Sequence, residues 1–214
     1  MPKEKASVLT VFYHEGDLPD GLDLGSSVAI DSETMGLRFR RDPLCVVQLS
    51  AGDGHAHVVR MSRPDYNCPN LKRLLTDPAV LKLFHFGRFD IGMFELHLGV
   101  TTAPVYCTKI ASKLVRTYTD RHGLKDLTRE LLSVDLSKAQ QSSDWGQATL
   151  SAEQLAYAAS DVLHLHALKE KLDLMLVREG RDQLAKAAME FLPHRVKLDL
   201  AGWEDCDIFA HSWA

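Results

Sequence analysis

The sequence predicts an α/β domain in which helices flank a mixed central sheet. Three observations support this fold class: short apolar runs dominate the first half, a long capped helical pattern dominates the second half, and no segment reads as an internal repeat or a linker. Strands that precede helices in a chain of 214 residues fit a single packed domain.

Four runs of apolar and β-branched residues predict strands. The runs at 26–31, 44–50 and 55–59 follow one another closely, with a glycine-rich turn at 51–54, so we expect them to form a three-stranded meander. A fourth strand is expected at 80–86.

Helical spacing occurs in three segments, and from Thr108 onward the pattern as a whole is helical with breaks. Residues 70–76 predict a short helix, and residues 87–98 predict a longer one with an apolar side. Ser151 followed by Gln154 forms a capping box, which predicts the start of one long helix running to about Glu179.

Composition restricts the class of protein. Hydrophobic residues at 45% and charged residues at 25% are ordinary for a globular protein, and no apolar run approaches the roughly 20 residues that a membrane span requires. The N-terminus lacks an apolar stretch of signal-peptide type, and the four cysteines show no C-x-x-C pairing. We therefore expect a cytoplasmic protein without a zinc site or a disulfide framework.

The net charge of −4 restricts how nucleic acid could bind. Proteins that hold long nucleic acids by the backbone usually carry a surplus of Lys and Arg. Either nucleic acid is not the partner, or the contact is short and local and a metal centre supplies the positive charge.

Two acids follow the first buried run, in A-I-D-S-E-T-M-G-L. Asp31 and Glu33 are two positions apart, so on a strand both side chains project from the same face. A D-x-E triplet is weak evidence by itself, but a chain rarely places charges directly after a buried strand without a partner.

Two further acids and a tyrosine complete the candidate catalytic set. Asp90 falls in the first turn of the helix at 87–98, where its charge also favours the positive helix end. Tyr157 and Asp161 share a helix face, and Asp161 lies within an apolar stripe where an unpaired carboxylate is costly. Carboxylates suit Mg²⁺ or Mn²⁺, and two such cations can clamp the attacking and leaving oxygens of a phosphoryl transfer.

In this order, Asp31-x-Glu33, Asp90 and Tyr157-x-x-x-Asp161 resemble the motifs of the tyrosine-type DEDD exonucleases. Three blocks also resemble ribonuclease D: H-G-L-K-D-L at 122–127, L-L-S-V-D-L-S-K-A-Q-Q-S-S-D-W at 131–145 and L-S-A-E-Q-L-A-Y-A-A-S-D-V at 150–162. The resemblance implies a ribonuclease H-like fold for a single domain at 1–214, with a core at about 10–178 and a C-terminal helical extension and tail at 179–214.

The same resemblance implies a reaction and a role for each residue. Nucleotides would be removed one at a time from a 3′ end, using two Mg²⁺ or Mn²⁺ ions. Asp31, Glu33 and Asp161 would bind the catalytic metal. Asp31 and Asp90 would bind the second metal, and Tyr157 would orient the attacking water.

The stretch T-K-I-A-S-K-L-V-R-T-Y-T-D-R-H-G-L-K at 108–125, together with the few residues after the last motif, resembles the nanoRNase C group more than ribonuclease D. That likeness implies degradation of very short RNA, above all dinucleotides, and assembly into a homo-oligomer such as an octameric ring. Cys107 departs from the pattern, because aspartate is expected there, but we expect activity to survive.

Several residues are candidates for substrate contact. Leu37 resembles the apolar wedge that related oligoribonucleases insert between two bases, with a core leucine as the alternative. Lys109 and Arg116 share a helix face that is either a pocket for a 5′-phosphate or an ordinary solvated surface. The full candidate set is Leu37, Arg88, Lys109, Arg116, Arg121 and His122.

Three functions remain open at this point. The first is an exoribonuclease of very short RNA, and the second is trimming of longer or structured RNA, such as tRNA 3′ ends, in the manner of ribonuclease D. The third is a catalytically inactive RNA-binding module or assembly subunit. The presence of all four acids and the tyrosine argues against the third.

Overall fold

Six strands form one mixed sheet in the computed structural model, which describes residues 10–137, 139–140 and 142–211. The strands are β1 (Val11–Glu15), β2 (Ser27–Thr34), β3 (Leu44–Ser50), β4 (Ala56–Arg60), β5 (Leu81–Phe84) and β6 (Val105–Cys107). They lie in the order β1-β4-β3-β2-β5-β6. β2, β3 and β4 form the predicted antiparallel meander, whereas β1 pairs in parallel with β4, and β5 and β6 continue the sheet in parallel beyond β2.

Helices supply most of the second half of the chain. They are α1 (Pro69–Thr76), α2 (Arg88–Leu98), α3 (Thr108–Val115), α4 (Leu124–Leu127), α5 (Ala152–Val162), α6 (Leu165–Arg178) and α7 (Asp182–Leu198). π-helical turns follow α4 at Thr128–Leu132 and α7 at Asp199–Trp203. Within the described ranges, every helix is too short or too polar to cross a membrane.

The sheet is the middle of three layers. Val28 and Ile30 of β2 point to one face, where they join a core built from α1, α2 and the end of α7. Ala29, between them, points to the opposite face and packs in the core with α3, α5 and α6. Alternation along the strand thus buries both faces of the sheet, and this confirms the α/β fold class that the sequence predicts.

Two strands were not foreseen, because each lacks the usual pattern. β1 is an edge strand whose Phe12 and Tyr13 are both exposed, so no apolar alternation marks it. β6 has only three residues, too few to show a period of two. The predicted strand at 80–86 is shorter than expected, because Phe86 adopts a left-handed backbone with φ 69° and ends it.

The long helix predicted from Ser151 to about Glu179 is interrupted. Its start is confirmed, because the Ser151 hydroxyl accepts from the Gln154 amide at 3.2 Å and Gln154 Oε1 accepts from the Ser151 amide at 2.9 Å. The helix breaks after Val162, and α6 begins at Leu165. Both residues are fully buried, so the apolar stripe keeps its helical spacing across the break and periodicity alone cannot reveal it.

Candidate active site

Four acids meet at the sheet edge where the parallel strands β2 and β5 end. Asp31 and Glu33 stand on the same face of β2, near its end. Asp90 lies in the first turn of α2, which begins four residues after β5 ends. Asp161 lies in the last turn of α5, a helix that packs across β2, β3 and β4.

The distances between these acids are those of a candidate metal site. One carboxylate oxygen from each of Asp31, Glu33 and Asp161 lies within 4.8 Å of the others, and no other such group occurs in the ranges that the structure describes. Asp90 approaches from the other side of β2, where its Oδ1 accepts a 2.5 Å hydrogen bond from Ser32 Oγ. All four acids and Tyr157 line a single cavity.

Neighbouring polar side chains hold the carboxylates in place. Gln48 lies directly opposite Asp31 in the β2–β3 ladder, and its Nε2 donates to Asp31 Oδ2 at 2.6 Å. Gln48 is fully buried, and the only sequence signal for this contact is a glutamine in the middle of an otherwise apolar strand. Neither Gln48 nor Ser32 was singled out from the sequence.

The electrostatics of the cluster call for a positive charge. Burial raises the pKa of Glu33 to about 9, and the charges of Asp161 and Asp90 add to that shift. Burial likewise raises the pKa of Asp31 well above its usual range, and it raises the pKa of Asp90 and of Asp161 to about 7. Buried carboxylates that repel one another are the environment in which a divalent cation is stabilising, so the residues present fit such an ion.

Tyr157 stands one helical turn before Asp161 on α5. Burial and the adjacent carboxylates, first that of Asp161, raise the pKa of the Tyr157 hydroxyl. The hydroxyl therefore stays protonated and can donate a hydrogen bond. Trp145 packs beside the ring, with centroids 6.1 Å apart, and is 2% exposed, so it supports the Tyr157 ring by packing.

The cavity has a volume of about 680 Å³ and a mixed lining. Leu37 lines it and is 81% exposed, so the alternative of a core leucine is wrong. Phe86 also lines it and is also exposed, and the ammonium of Lys109 lies 4.3 Å from the centre of the Phe86 ring. Lys125 completes the basic part of the lining.

A larger cavity, of about 870 Å³, lies elsewhere, between β6 and helices α6 and α7. Its lining is mostly apolar and contains none of the four clustered acids. The volume of a cavity therefore does not identify the active site. The smaller cavity is the candidate because the four acids line it.

Phe86 and Lys125 were missed by the sequence analysis. The sequence predicts Phe86 as the end of a strand, whereas in the structure it has a left-handed backbone and lines the cavity. Non-glycine residues in that conformation are strained and cluster at functional sites. No pattern in the sequence distinguishes this phenylalanine from its neighbours.

Two predicted substrate contacts need correction. Arg116 is fully buried, because α3 ends at Val115 and the guanidinium turns inward to pair with Glu130 and to donate to the Arg121 carbonyl at 2.7 Å. Arg88 pairs with Asp199 at 2.6 Å and is absent from the cavity lining. Both guanidiniums form ion pairs with carboxylates of the protein, so neither is available for a substrate phosphate.

Arg121 and His122 are absent from the cavity lining, although Gly123, the next residue, belongs to it. His122 Nδ1 is hydrogen-bonded to Ser112 Oγ at 2.9 Å. Their contact with substrate stays a prediction.

Comparison with known proteins agrees with this geometry. Residues 18–177 match the 3′–5′ exonuclease family. Ribonuclease D of Granulibacter bethesdensis is 39% identical over 72% of this chain, and that of Acidiphilium cryptum is 37% identical over 80%. The chain spans only 38% and 43% of the length of these two curated relatives.

Solved structures match over almost the whole chain. Brucella melitensis NrnC with bound Mg²⁺ is 52% identical with a TM-score of 0.91, covering 95% of this chain and 100% of that one. The same protein bound to pGG is 53% identical with a TM-score of 0.92, over the same shares of the two chains. Escherichia coli RNase D, described as an exoribonuclease involved in structured RNA processing, is 25% identical with a TM-score of 0.69, over 80% of this chain and 45% of that one. The chain therefore belongs to the 3′–5′ exonuclease family, with the ribonuclease H-like fold and among the ribonuclease D-like members that include NrnC.

Proposed function

We propose that this protein is a metal-dependent 3′–5′ exoribonuclease that degrades very short RNA, above all dinucleotides, to mononucleotides. The observation that carries the proposal is the convergence of Asp31, Glu33 and Asp161 within 4.8 Å, with Asp90 beside them, in one cavity of a 3′–5′ exonuclease domain. The pGG bound to the Brucella relative supports the choice of a dinucleotide.

The four acids would hold two divalent cations, Mg²⁺ or Mn²⁺. Asp31, Glu33 and Asp161 would bind the catalytic ion, and Asp31 and Asp90 the second. Bound cations of this kind stabilise the attacking and leaving oxygens of a phosphodiester as Lewis acids. Gln48 and Ser32 would keep the Asp31 and Asp90 oxygens in position through the hydrogen bonds described above.

Tyr157 would orient the attacking water. Its hydroxyl oxygen would accept a hydrogen bond from the water, which leaves the two lone pairs of the water for the catalytic ion and the phosphorus. This role requires only a hydroxyl oxygen beside Asp161, and Tyr157 has that position. Holding a nucleophile in one orientation removes much of its entropic barrier.

Substrate recognition would be short and tolerant of sequence. Leu37 and Phe86 expose apolar surface at the cavity, where they can pack against base faces, which all four bases share. Lys109, with Lys125 beside it in the lining, would meet a 5′-phosphate. A ligand with so few phosphates needs few basic residues, which agrees with the net charge of −4.

The second candidate is trimming of longer or structured RNA, such as tRNA 3′ ends. The names of the curated relatives favour it, because they are ribonuclease D proteins. Turnover of a 5′-phosphorylated dinucleotide and of a seven-nucleotide RNA of the same composition separates the two. Dinucleotide preference requires faster turnover of the short substrate, and equal or faster turnover of the long one would support the ribonuclease D reading instead.

The same assay tests the inactive alternative. Metal-dependent release of 5′-mononucleotides would contradict an RNA-binding module without activity. We also propose a homo-oligomer such as an octameric ring, and the exposed apolar Leu174, Val177 and Leu184 of α6 and α7 support a subunit contact. Light scattering after size-exclusion chromatography measures the assembly directly, and a monomer would contradict it.

A further inference from the structure

The C-terminal segment (residues 199–211) lies against the loop that carries Leu37. This Leu37 loop (residues 35–42) connects β2 to β3. Arg40 reaches out of it and donates from Nη2 to the Leu200 carbonyl at 2.8 Å. Residues of the loop and of the segment line a common cavity, so the two elements are direct neighbours.

Asp199 fixes the start of the segment. Its side chain is 1% exposed, and Arg88 donates two hydrogen bonds to it, from Nε to Oδ2 at 2.6 Å and from Nη2 to Oδ1 at 2.8 Å. Arg195 of α7 lies 3.1 Å from the same carboxylate. Both guanidiniums also donate to the Glu204 carbonyl, at 2.7 Å and 2.9 Å. Bidentate Arg–carboxylate pairs fix both the distance and the orientation of the two side chains. Because Leu200 directly follows Asp199, this pair also fixes the position of Leu200 relative to α2.

The Leu37 loop depends on such external contacts. Phe39 stacks on Phe89 of α2 with ring centroids 5.4 Å apart, and an added Cβ at Gly92 would lie 2.5 Å from the Phe39 ring. Leu37 itself is 81% exposed, so packing of its own side chain does little to hold it. The position of Leu37 is therefore set by the backbone of the loop. That loop is held by the packing of Phe39 on α2 and by the hydrogen bond from Arg40 to Leu200.

We propose that Asp199 and Arg40 are positioning residues that make the C-terminal segment a brace for the Leu37 loop. The chain of contacts runs from Arg88 through Asp199 to Leu200 and then to Arg40, and it ends at the side chain that would pack against a substrate base. This inference rests on the proposed function, in which Leu37 contacts the substrate.

The brace predicts a particular kinetic signature. The acids are held by other contacts: Asp90 accepts from Ser32, Asp31 accepts from Gln48, and α2 remains packed through the buried Ile91 and Phe94. Loosening the loop should therefore weaken substrate binding and leave the chemical step largely intact. A merely structural defect would lower the amount of folded enzyme and reduce kcat instead.

Arg40→Ala is the test and Arg41→Ala its matched control. Both arginines are exposed and lie in the same loop, but Arg41 contacts Asp42, at 2.6 Å, and not the C-terminal segment. For a 5′-phosphorylated dinucleotide we expect Arg40→Ala to raise KM about tenfold and to change kcat less than about twofold. The factor of about ten corresponds to the free energy of one hydrogen bond from a charged donor, here that from Arg40 to Leu200. Arg41→Ala removes the same charge and should leave KM nearly unchanged.

Two further variants show whether the effect passes through Leu37. Asp199→Asn weakens the Arg88 pair and should raise KM in the same way as Arg40→Ala. In a Leu37→Ala background, Arg40→Ala should have no further effect on KM, because the side chain that the brace positions is absent. An equal KM for Arg40→Ala and the unaltered protein, or an undiminished effect in the Leu37→Ala background, would overturn the proposal.

Hydrogen exchange separates a failure of the brace from a failure of the proposed function. The amides of Arg38 and Asp42 are hydrogen-bonded within the loop, at 2.9 Å each, so their exchange reports how firmly the loop is held. Arg40→Ala and Asp199→Asn should accelerate exchange in residues 35–42, and Arg41→Ala should do so less. Faster exchange in a protein that cleaves no dinucleotide would contradict the proposed function but not the brace, whereas unchanged exchange would contradict the brace itself.

Discussion

The Gln48 side-chain amide donates to Asp31 Oδ2 at 2.6 Å from the residue directly across the β2–β3 ladder. The contact joins a fully buried glutamine to a half-buried aspartate, so it fixes one oxygen of the acid that we propose as a ligand of both metals. A carboxylate whose orientation is set by a neighbour binds a cation with less rearrangement. The orientation of the Asp31 carboxylate thus depends on Gln48, which is not one of the proposed metal ligands.

Gln48→Met should therefore lower metal affinity without removing a ligand. Methionine has a similar length but donates no hydrogen bond, and loss of such a supporting contact typically costs 10–100-fold in metal affinity, so we expect a weakening of about tenfold. Titration calorimetry with Mn²⁺ measures it directly. Ser50→Ala is the control, because Ser50 is equally buried on β3 but donates to the His55 carbonyl. Unchanged affinity in Gln48→Met would show that the contact does not support the site.

Asp31→Asn should abolish activity and stabilise the metal-free protein. The substitution removes a charge that burial and three neighbouring acids disfavour, while its amide oxygen can still accept from Gln48. Relieving a buried unpaired charge is worth at least about 1–3 kcal/mol, which raises the melting temperature by several degrees. Thermal unfolding in EDTA checks this result.

Adding Mn²⁺ should reverse the order of stability in the same thermal unfolding experiment. Mn²⁺ should raise the melting temperature of the unaltered protein, because a ligand that binds the folded state stabilises it, and should raise that of Asp31→Asn much less. Asp135→Asn serves as control, since Asp135 is an exposed acid paired with Arg129. A fall in the EDTA melting temperature of Asp31→Asn would mean that the four carboxylates do not repel one another in the protein.

Tyr157→Phe should separate turnover from metal binding. The variant loses only the hydroxyl, so the ring can keep its packing against Trp145 and the acids keep their positions. We expect kcat to fall by about 10²-fold or more, as expected for loss of an orienting group, with Mn²⁺ affinity changed little. Single-turnover rates at saturating Mn²⁺ are the measurement. Full activity in Tyr157→Phe would exclude the water-orienting role.

The parts of this protein that could be predicted from sequence are those set by local rules. The strand alternation placed Asp31 and Glu33 on one face, and the capping box of Ser151 and Gln154 marked the start of α5. Asp90 also falls in the first turn of a helix, as its position after a strand indicates. Each of these inferences needed only neighbouring residues.

The parts that could not be predicted depend on contacts between distant segments. Arg116 belonged to a basic stripe in the sequence, but the partner that buries it, Glu130, lies on another element. Arg88 lay beside Asp90, yet its carboxylate partner Asp199 is 111 positions away. A spacing pattern predicts which face of a helix a charge occupies, but it carries no information about a distant residue that neutralises the charge.

Lys82 provides a prediction about pH and stability that is independent of the active site. Its side chain is buried in β5, and the ammonium donates to the carbonyls of Asp77 and Ala103, at 2.6 Å each. Burial lowers the pKa of Lys82 to about 8, against the smaller opposing effect of Asp77. Between this value and the ordinary lysine pKa of about 10.4, the unfolded chain binds more protons than the folded one, so stability rises with pH in that window.

Lys82→Met tests this sign. Below pH 8 both states of the unaltered protein are protonated and the cost of the buried charge is constant, whereas from pH 8 to 10 that cost disappears. Relative to Lys82→Met, the unaltered protein should gain about 2–3 kcal/mol over this range, since each pKa unit corresponds to about 1.4 kcal/mol. Urea unfolding at pH 7, 8, 9 and 10 gives the difference. Lys171→Met, at an exposed lysine of α6, should show no such slope, and a parallel pH dependence for the unaltered protein and Lys82→Met would mean that the buried ammonium is fully stabilised by its two carbonyls.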